Sequence, residues 1–233
     1  MSQMKPSQPA SLMGDSPANG SWLQQAWPRM RILWVAKVTG TSVSMPVFFI
    51  VYFWLLKHPL FPITTIPLTA IDRLVGFWPE AFLLYVSLWV YVVLPPMFLK
   101  SRRELGSYGL AVVGLSVIGF GIFLFWPTAL PKFDMDWSQH PTFAFLKTVD
   151  ASGNACPSLH VAFAVFTAIW LGRLLREMGA GRLVRALNWL WCLGILYSTI
   201  ALRQHVALDV LAGAALGAIV AALHLRVLYR TSD

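Results

Sequence analysis

Long apolar runs separated by short polar and basic clusters set the pattern of this chain. They fall at about 35–56, 81–99, 108–126, 159–171 (with 172–175 as an extension), 183–202 and 206–225. Each is close to the roughly 20 residues with which a helix crosses the hydrocarbon of a bilayer. The fourth run is the shortest, and Arg173 at its end is long enough to snorkel to the headgroups. Between the first two runs, Leu68, Ile71, Leu74 and Val75 follow helical spacing and predict a short helix lying in the interface. The pattern predicts an all-α polytopic membrane protein, a six-transmembrane-helix bundle formed by residues 22–233 as one domain. Residues 1–21 are rich in Ser, Pro, Gln and Gly and read as a disordered cytoplasmic tail. They lack the basic start and apolar centre of a signal peptide, so the first run reads as an uncleaved anchor.

Composition sharpens this picture. Of 233 residues, 57% are hydrophobic and only 12% are charged, with 11 Trp and 15 Phe. A soluble fold of this size has no room to hide so much apolar surface. The net charge of +8 would suit nucleic acid, but no basic stripe runs along a soluble domain, and that function is excluded. The charges instead sort by side. With the N-terminus cytoplasmic, the inner segments hold Lys5, Arg29, Arg31, Lys37, Lys100, Arg102, Arg103, Arg173, Arg176, Arg182, Arg185, Arg226 and Arg230, which is 13 of the 18 basic residues. Lys57, Arg73, Lys132, Lys147 and Arg203 fall outside. This positive-inside bias places both termini in the cytoplasm, as in a bacterial inner membrane. Cys156 and Cys192 belong at different depths, so no disulfide is expected between them, and the sequence has no CxxC pair.

Three polar clusters then converge on the non-cytoplasmic side: Pro127–Lys132, Cys156–His160 and Ser198–Asp209. The second long outer loop carries Asp134, Asp136, Trp137 and Asp150 and forms the expected rim of a site there. Polar groups near a membrane are costly and mark function. His205 and Asp209 stand four apart, so on a helix the carboxylate meets the imidazole, fixes its tautomer and leaves the other nitrogen nucleophilic. A structural pair capping the last helix is the plain alternative. Ser158 is a good N-cap residue, and free amides at a helix start make an anion site. His160 in the first turn suits a general acid. Lys132 and Arg203 lie at the same depth, as phosphate-neutralising groups or as headgroup anchors. Gly213, Gly217 and Ala221 follow Asp209 at four-residue steps, a stripe that allows close helix packing.

At these residues the sequence resembles the type 2 phosphatidic acid phosphatase superfamily, from about Ser101 to Leu225. Pro157-Ser158-Leu159-His160 matches three of the four positions of its Pro-Ser-Gly-His motif. Ser198, His205 and Asp209 match the family's third motif at its spacing, with Thr199 where Arg is expected. The usual first motif, Lys, six residues, Arg-Pro, is not found. Pro127–Lys132 is instead similar to a Pro-Thr-Ala-x-Pro-basic stretch of the inositol phosphorylceramide synthase-like branch, and Ser-Leu-His suits that branch too. The resemblance implies that His205 attacks phosphorus, Asp209 orients it and His160 protonates the leaving group. It also implies that Ser158, Lys132, Arg203 and Ser198 bind the substrate, with Arg203 replacing the Arg missing at Thr199.

The resulting expectation is a membrane phosphatase acting on lipid phosphates or diphosphates through a phosphohistidine at the non-cytoplasmic face, with no metal or cofactor. Its partners are the lipid substrate and membrane lipids, and no protein partner is implied. A headgroup phosphotransferase is the first alternative, since water or a hydroxyl can resolve the same intermediate. A transporter or scaffold with a relic site is the second. A zinc site of His160, His205 and Asp209 lacks the HExxH pattern, and a serine protease built on Ser158 lacks GxS.

Overall fold

The protein is described by a computed structural model covering residues 21–133 and 154–230. The expected tail, apart from Ser21, and the acidic part of the second outer loop (Asp134, Asp136, Trp137 and Asp150) lie outside the described residues.

The architecture is helical, and the described residues hold six helical segments long and apolar enough to span a membrane. Helix α1 (Trp22–Arg31) comes first, a ten-residue helix containing Pro28 that the run pattern does not predict. Its Leu23 and Trp27 are exposed, while Ala26 and Arg29 are buried. The first span is α2 (Trp34–Lys57). After it come β1 (Thr64–Thr65) and α3 (Ala70–Leu74), the short helix expected from the Leu68–Val75 spacing. The second span, Pro79–Met97, is a 3-10 turn followed by three short helices: α4 (Phe82–Val86), α5 (Leu88–Tyr91) and α6 (Leu94–Met97). Pro95 and Pro96 lack the N–H that would continue it. Helix α7 (Arg102–Phe125) starts at Ser101, whose hydroxyl accepts the Glu104 N–H at 3.1 Å. Strand β2 (Thr128–Ala129) precedes α8 (Leu159–Glu177), α9 (Arg182–Ala201) and α10 (Ala207–Arg230).

Helix α8 is the hub. Within its most apolar window 72% is buried inside the protein, against 6% for α2, although α2 is the more apolar of the two. Lipid is as apolar as Leu, so apolarity does not decide which helix is central; close approach does. Ala162, Ala164, Ala168 and Gly172 keep α8 slim, and all four are buried. On α10, a Cβ at Gly213 would overlap the carbonyl oxygen of Ser158, and one at Gly217 would overlap that of Ala162. The small-residue stripe is thus the seam between α10 and α8. On the other flank, Asn188 of α9 donates to the Ala168 carbonyl (2.9 Å) and accepts from the Tyr91 hydroxyl (2.7 Å), which ties three spans together.

The two ends of the bundle differ. At one end, Lys37 donates to the carbonyls of Arg29 (2.7 Å) and Met97 (2.8 Å), and Glu177 at the end of α8 pairs with Arg29 and Lys100. At the other end the connecting segments are stitched by short strands. Parallel β1 and β2 pair Thr64 with Thr128 and Thr65 with Ala129. Thr128 also bridges to Asn154, and its carbonyl accepts the Ala155 N–H at 3.1 Å. These bonds tie the segment that carries β1 to the residues after α7 and to those before α8.

Candidate active site

The site grows from two helix starts held against each other. Helix α9 ends in a Schellman turn: the Gln204 N–H returns to the Thr199 carbonyl (3.0 Å) and the Arg203 N–H to that of Ile200 (2.9 Å). Arg203 takes the left-handed conformation at φ 56°, a position usually given to Gly. The His205 N–H also reaches Thr199 (3.1 Å), so the carbonyl at this position organises the turn. Helix α10 then begins at Ala207.

Asp209, wholly buried in the first turn of α10, uses both carboxylate oxygens. Oδ1 accepts the Val206 N–H at 2.7 Å, which caps the helix. Oδ2 lies 2.8 Å from His205 Nδ1. A carboxylate facing a neutral imidazole only accepts, so Nδ1 carries the proton and Nε2 the lone pair. The pairing expected from the four-residue spacing is therefore present, together with a cap that makes the same carboxylate structural as well.

Helix α8 reaches the site through a cis Cys156–Pro157 peptide and starts at Ser158. The Ser158 hydroxyl accepts the Val161 N–H at 3.2 Å, and its backbone N–H donates to the Asp209 carbonyl at 3.0 Å. The N-cap of one helix is thus bonded directly to the first turn of the other. His160, the second residue of α8, stacks on Tyr85 with ring centroids 4.2 Å apart and planes at 14°, with Trp89 edge-on at 6.3 Å. The ring is hydrogen-bonded to the backbone of Tyr85 and lies close enough to His205 for the two to interact electrostatically. Its Nε2 is buried without a partner among the described residues. That atom is the orphan of the site, and a bound group would satisfy it.

The other expected residues divide. Thr128, within the Pro127–Lys132 cluster, is buried and accepts the Cys156 N–H at 2.8 Å, so this cluster braces the approach to Ser158. Lys132 lies beyond β2 with its side chain exposed. Arg203 donates through Nη1 to the Asp72 carbonyl (2.7 Å) and lies over the Phe133 ring at 5.1 Å. Ser198 is buried, and its hydroxyl donates to the Ile195 carbonyl at 2.7 Å. Thr199, in the position of the family's Arg, donates to Leu196 in the same way.

Two residues of the site went unread in the sequence. Tyr85 carries no local signal, because its role is to face His160 from another span. Asp72 does carry one, the Thr69-x-x-Asp72 capping box, but nothing in that spacing points to α10. A cavity of about 290 Å³ lies beside the β1–β2 pair, lined by Thr64, Ile66, Pro67, Trp126, Cys156 and Leu208 among others. Burial, and then the nearby Asp209 carboxylate, push the Cys156 thiol up to about 11, so it is a neutral wall of this cavity and not a nucleophile. Among the described residues, no group of three or more His, Cys, Asp or Glu side chains is gathered as a metal would require.

Comparison with curated proteins and with solved structures gives no significant match. A family comparison does: residues 102–233, more than half of the chain and the part that carries α7, α8, α9, α10 and all three polar clusters, match the PAP2 superfamily. Its members are phosphatases and phosphotransferases, helical and resident in membranes. With a histidine–carboxylate pair and a second histidine meeting at two helix starts inside the matched region, this chain is an integral-membrane member of the PAP2 superfamily, with a lipid phosphatase-type function.

Proposed function

We propose that the protein transfers the phosphoryl group of a lipid phosphate or diphosphate through a phosphohistidine on His205. The observation that carries this reading is the His205–Asp209 pair (2.8 Å) set beside His160, whose Nε2 is buried and unpartnered. In the first step His205 Nε2 forms a bond to phosphorus while the bond from phosphorus to the leaving oxygen breaks. His160, protonated when the phosphate dianion binds, passes its Nε2 proton to that oxygen. Asp209 holds the Nδ1 proton and stabilises the positive charge that grows on the ring. In the second step the neutral His160 takes a proton from water, whose oxygen attacks the phosphohistidine and releases phosphate. No metal or cofactor enters either step.

The positive end of α8 and the Ser158 hydroxyl bind phosphate oxygens, with Arg203 and Lys132 supplying charge at the rim. Ser198, whose hydroxyl is engaged within its own helix, supports the turn behind them. The apolar cavity beside Leu208 suits the first part of a lipid chain. The positive-inside distribution supports a site outside the cytoplasm with both termini inside, as in a bacterial inner membrane.

A second reading rests on the Pro127–Lys132 stretch and the Ser-Leu-His variant. These favour the inositol phosphorylceramide synthase-like branch, in which a lipid or sugar hydroxyl replaces water in the second step. Purified protein incubated with phospholipids and prenyl diphosphates, with and without hydroxyl acceptors, separates the two by mass spectrometry. Phosphate release without acceptor, absent in His205→Ala, is the expected result. A new phospholipid formed only with acceptor would establish the transferase. Equal turnover by wild type and His205→Ala would overturn the phosphohistidine.

A further inference from the structure

Asp72 lies outside the three polar clusters and outside the region matched by the family. It sits on α3, in the segment between the first two spans, and is 2% exposed. Its Oδ2 accepts both the backbone N–H and the hydroxyl of Thr69, each at 2.7 Å, which closes the capping box of α3. A local cap would need nothing more. Yet Oδ1 accepts the N–H of Ala207, the first residue of α10, at 2.7 Å. The Asp72 carbonyl in turn accepts Arg203 Nη1 at 2.7 Å. One residue, 135 positions away from Ala207, thus grips both sides of the short turn that carries His205.

We propose that Asp72 is a positioning residue for the phosphoryl transfer inferred above; the proposal rests on that reading. The physical reason is competition for donors. A helix start presents several N–H groups that need acceptors, and those of Val206 and Ala207 are buried. Asp209 serves the first and Asp72 the second. Without Asp72, the buried Ala207 N–H loses its acceptor and competes with the adjacent Val206 N–H for the Asp209 carboxylate, the group that must stay with His205 Nδ1. Asp72 keeps that carboxylate committed to the imidazole. It also seats the left-handed Arg203, so that turn and helix are fixed together. Because Ile71 and Leu74 of the same helix are exposed, the clamp is carried by a segment whose apolar residues face away from the bundle.

The test uses the full chain purified in detergent, with Asp72→Ala, Asp72→Asn and Thr69→Val compared with wild type on the lipid that wild type turns over. Misplacing a reacting group by about 1 Å costs on the order of 100-fold. Asp72→Ala is therefore expected to lower kcat by about 100-fold with KM unchanged, the mark of an interaction that matters in the transition state. Asp72→Asn, which keeps an acceptor for Ala207, should recover part of the loss, and Thr69→Val, which leaves the Ala207 bond intact, nearly all of it. A folded Asp72→Ala with wild-type kcat, or an effect confined to KM, would overturn the proposal. A readout independent of turnover is the downfield proton resonance of His205 Nδ1–H, assigned by its absence in His205→Ala. It should weaken in Asp72→Ala, or in Asp72→Asn if the alanine variant does not fold, and its persistence at full strength would also overturn the proposal. Wild type no more active than His205→Ala on any lipid would sink the functional reading, while this resonance still decides the role of Asp72.

Discussion

The turns that end α8 and α9 share one backbone design and solve it in opposite ways. After α8, Gly179 stands at φ 76°, with its N–H on the Arg176 carbonyl and the Ala180 N–H on that of Leu175. After α9, Arg203 occupies the same left-handed position, with the equivalent two bonds to Ile200 and Thr199. Glycine adopts this conformation at no steric cost, so the first turn holds itself. Arginine pays about 1 kcal/mol or more there, so the second turn must be held from outside. Its supports are Asp72, which takes both the Arg203 guanidinium and the Ala207 N–H, and the Asp209 carbonyl, which fastens α10 to Ser158. The self-sufficient turn lies beside the Arg29–Lys100–Glu177 cluster, and the imposed one carries His205. The residue that bears the strain also holds the turn to α3, through its guanidinium on the Asp72 carbonyl.

The sharpest way to break the second turn is to unseat the helix behind it. Gly213→Val places a side chain into the backbone of Ser158, which has no flexible end to move aside. The expected cost is more than about 3 kcal/mol, with little folded protein recovered and turnover lost, read by thermal unfolding in detergent and lipid assay. Arg203→Gly should separate strain from chemistry. It relieves the left-handed penalty while deleting the bond to Asp72, so turnover falls at least about 10-fold with little change in melting temperature. An equal loss of stability and activity would show that the arginine holds the turn without serving the site. Gly179→Ala tests the other turn and should lower stability by about 1 kcal/mol, with kcat unchanged in the remaining folded protein. The smallest effect belongs to Cys156. With its thiol pushed up to about 11, the thiolate is scarce at neutral pH, and maleimide labelling should speed up as pH rises toward that value. Fast labelling of the folded protein at pH 7 would contradict the half-buried setting near the Asp209 carboxylate found for this side chain.

Much of this arrangement is legible along the chain. The apolar runs mark all six spans, Ser158 marks the start of α8, and the spacing of His205 and Asp209 announces their contact. The Gly213–Gly217 stripe announces a tight seam. Helix α1 is not legible, since ten residues around Pro28 give too few turns for a period to emerge. Neither is the place of Thr128, which reads as one polar residue in a loop until its hydroxyl is seen to accept the Cys156 N–H. The role of Ser198 is equally hidden, because motif spacing locates the residue but leaves open where its hydroxyl turns, and it turns to Ile195.

The sequence by itself therefore determined that this is a six-span membrane protein, that three polar clusters gather at one end, and that one histidine has a carboxylate four residues on. Those properties are local or additive: a run of apolar residues partitions into lipid wherever it lies, and a helix brings positions four apart together in any context. The tertiary structure alone decided that α8 is the hub, that His160 is clamped by Tyr85 with one ring nitrogen left unsatisfied, and that Asp72 reaches Ala207 across 135 positions. Among helices of similar apolarity the bilayer itself sets no order, so small residues and satisfied polar groups choose the neighbours, and such choices exist only between segments.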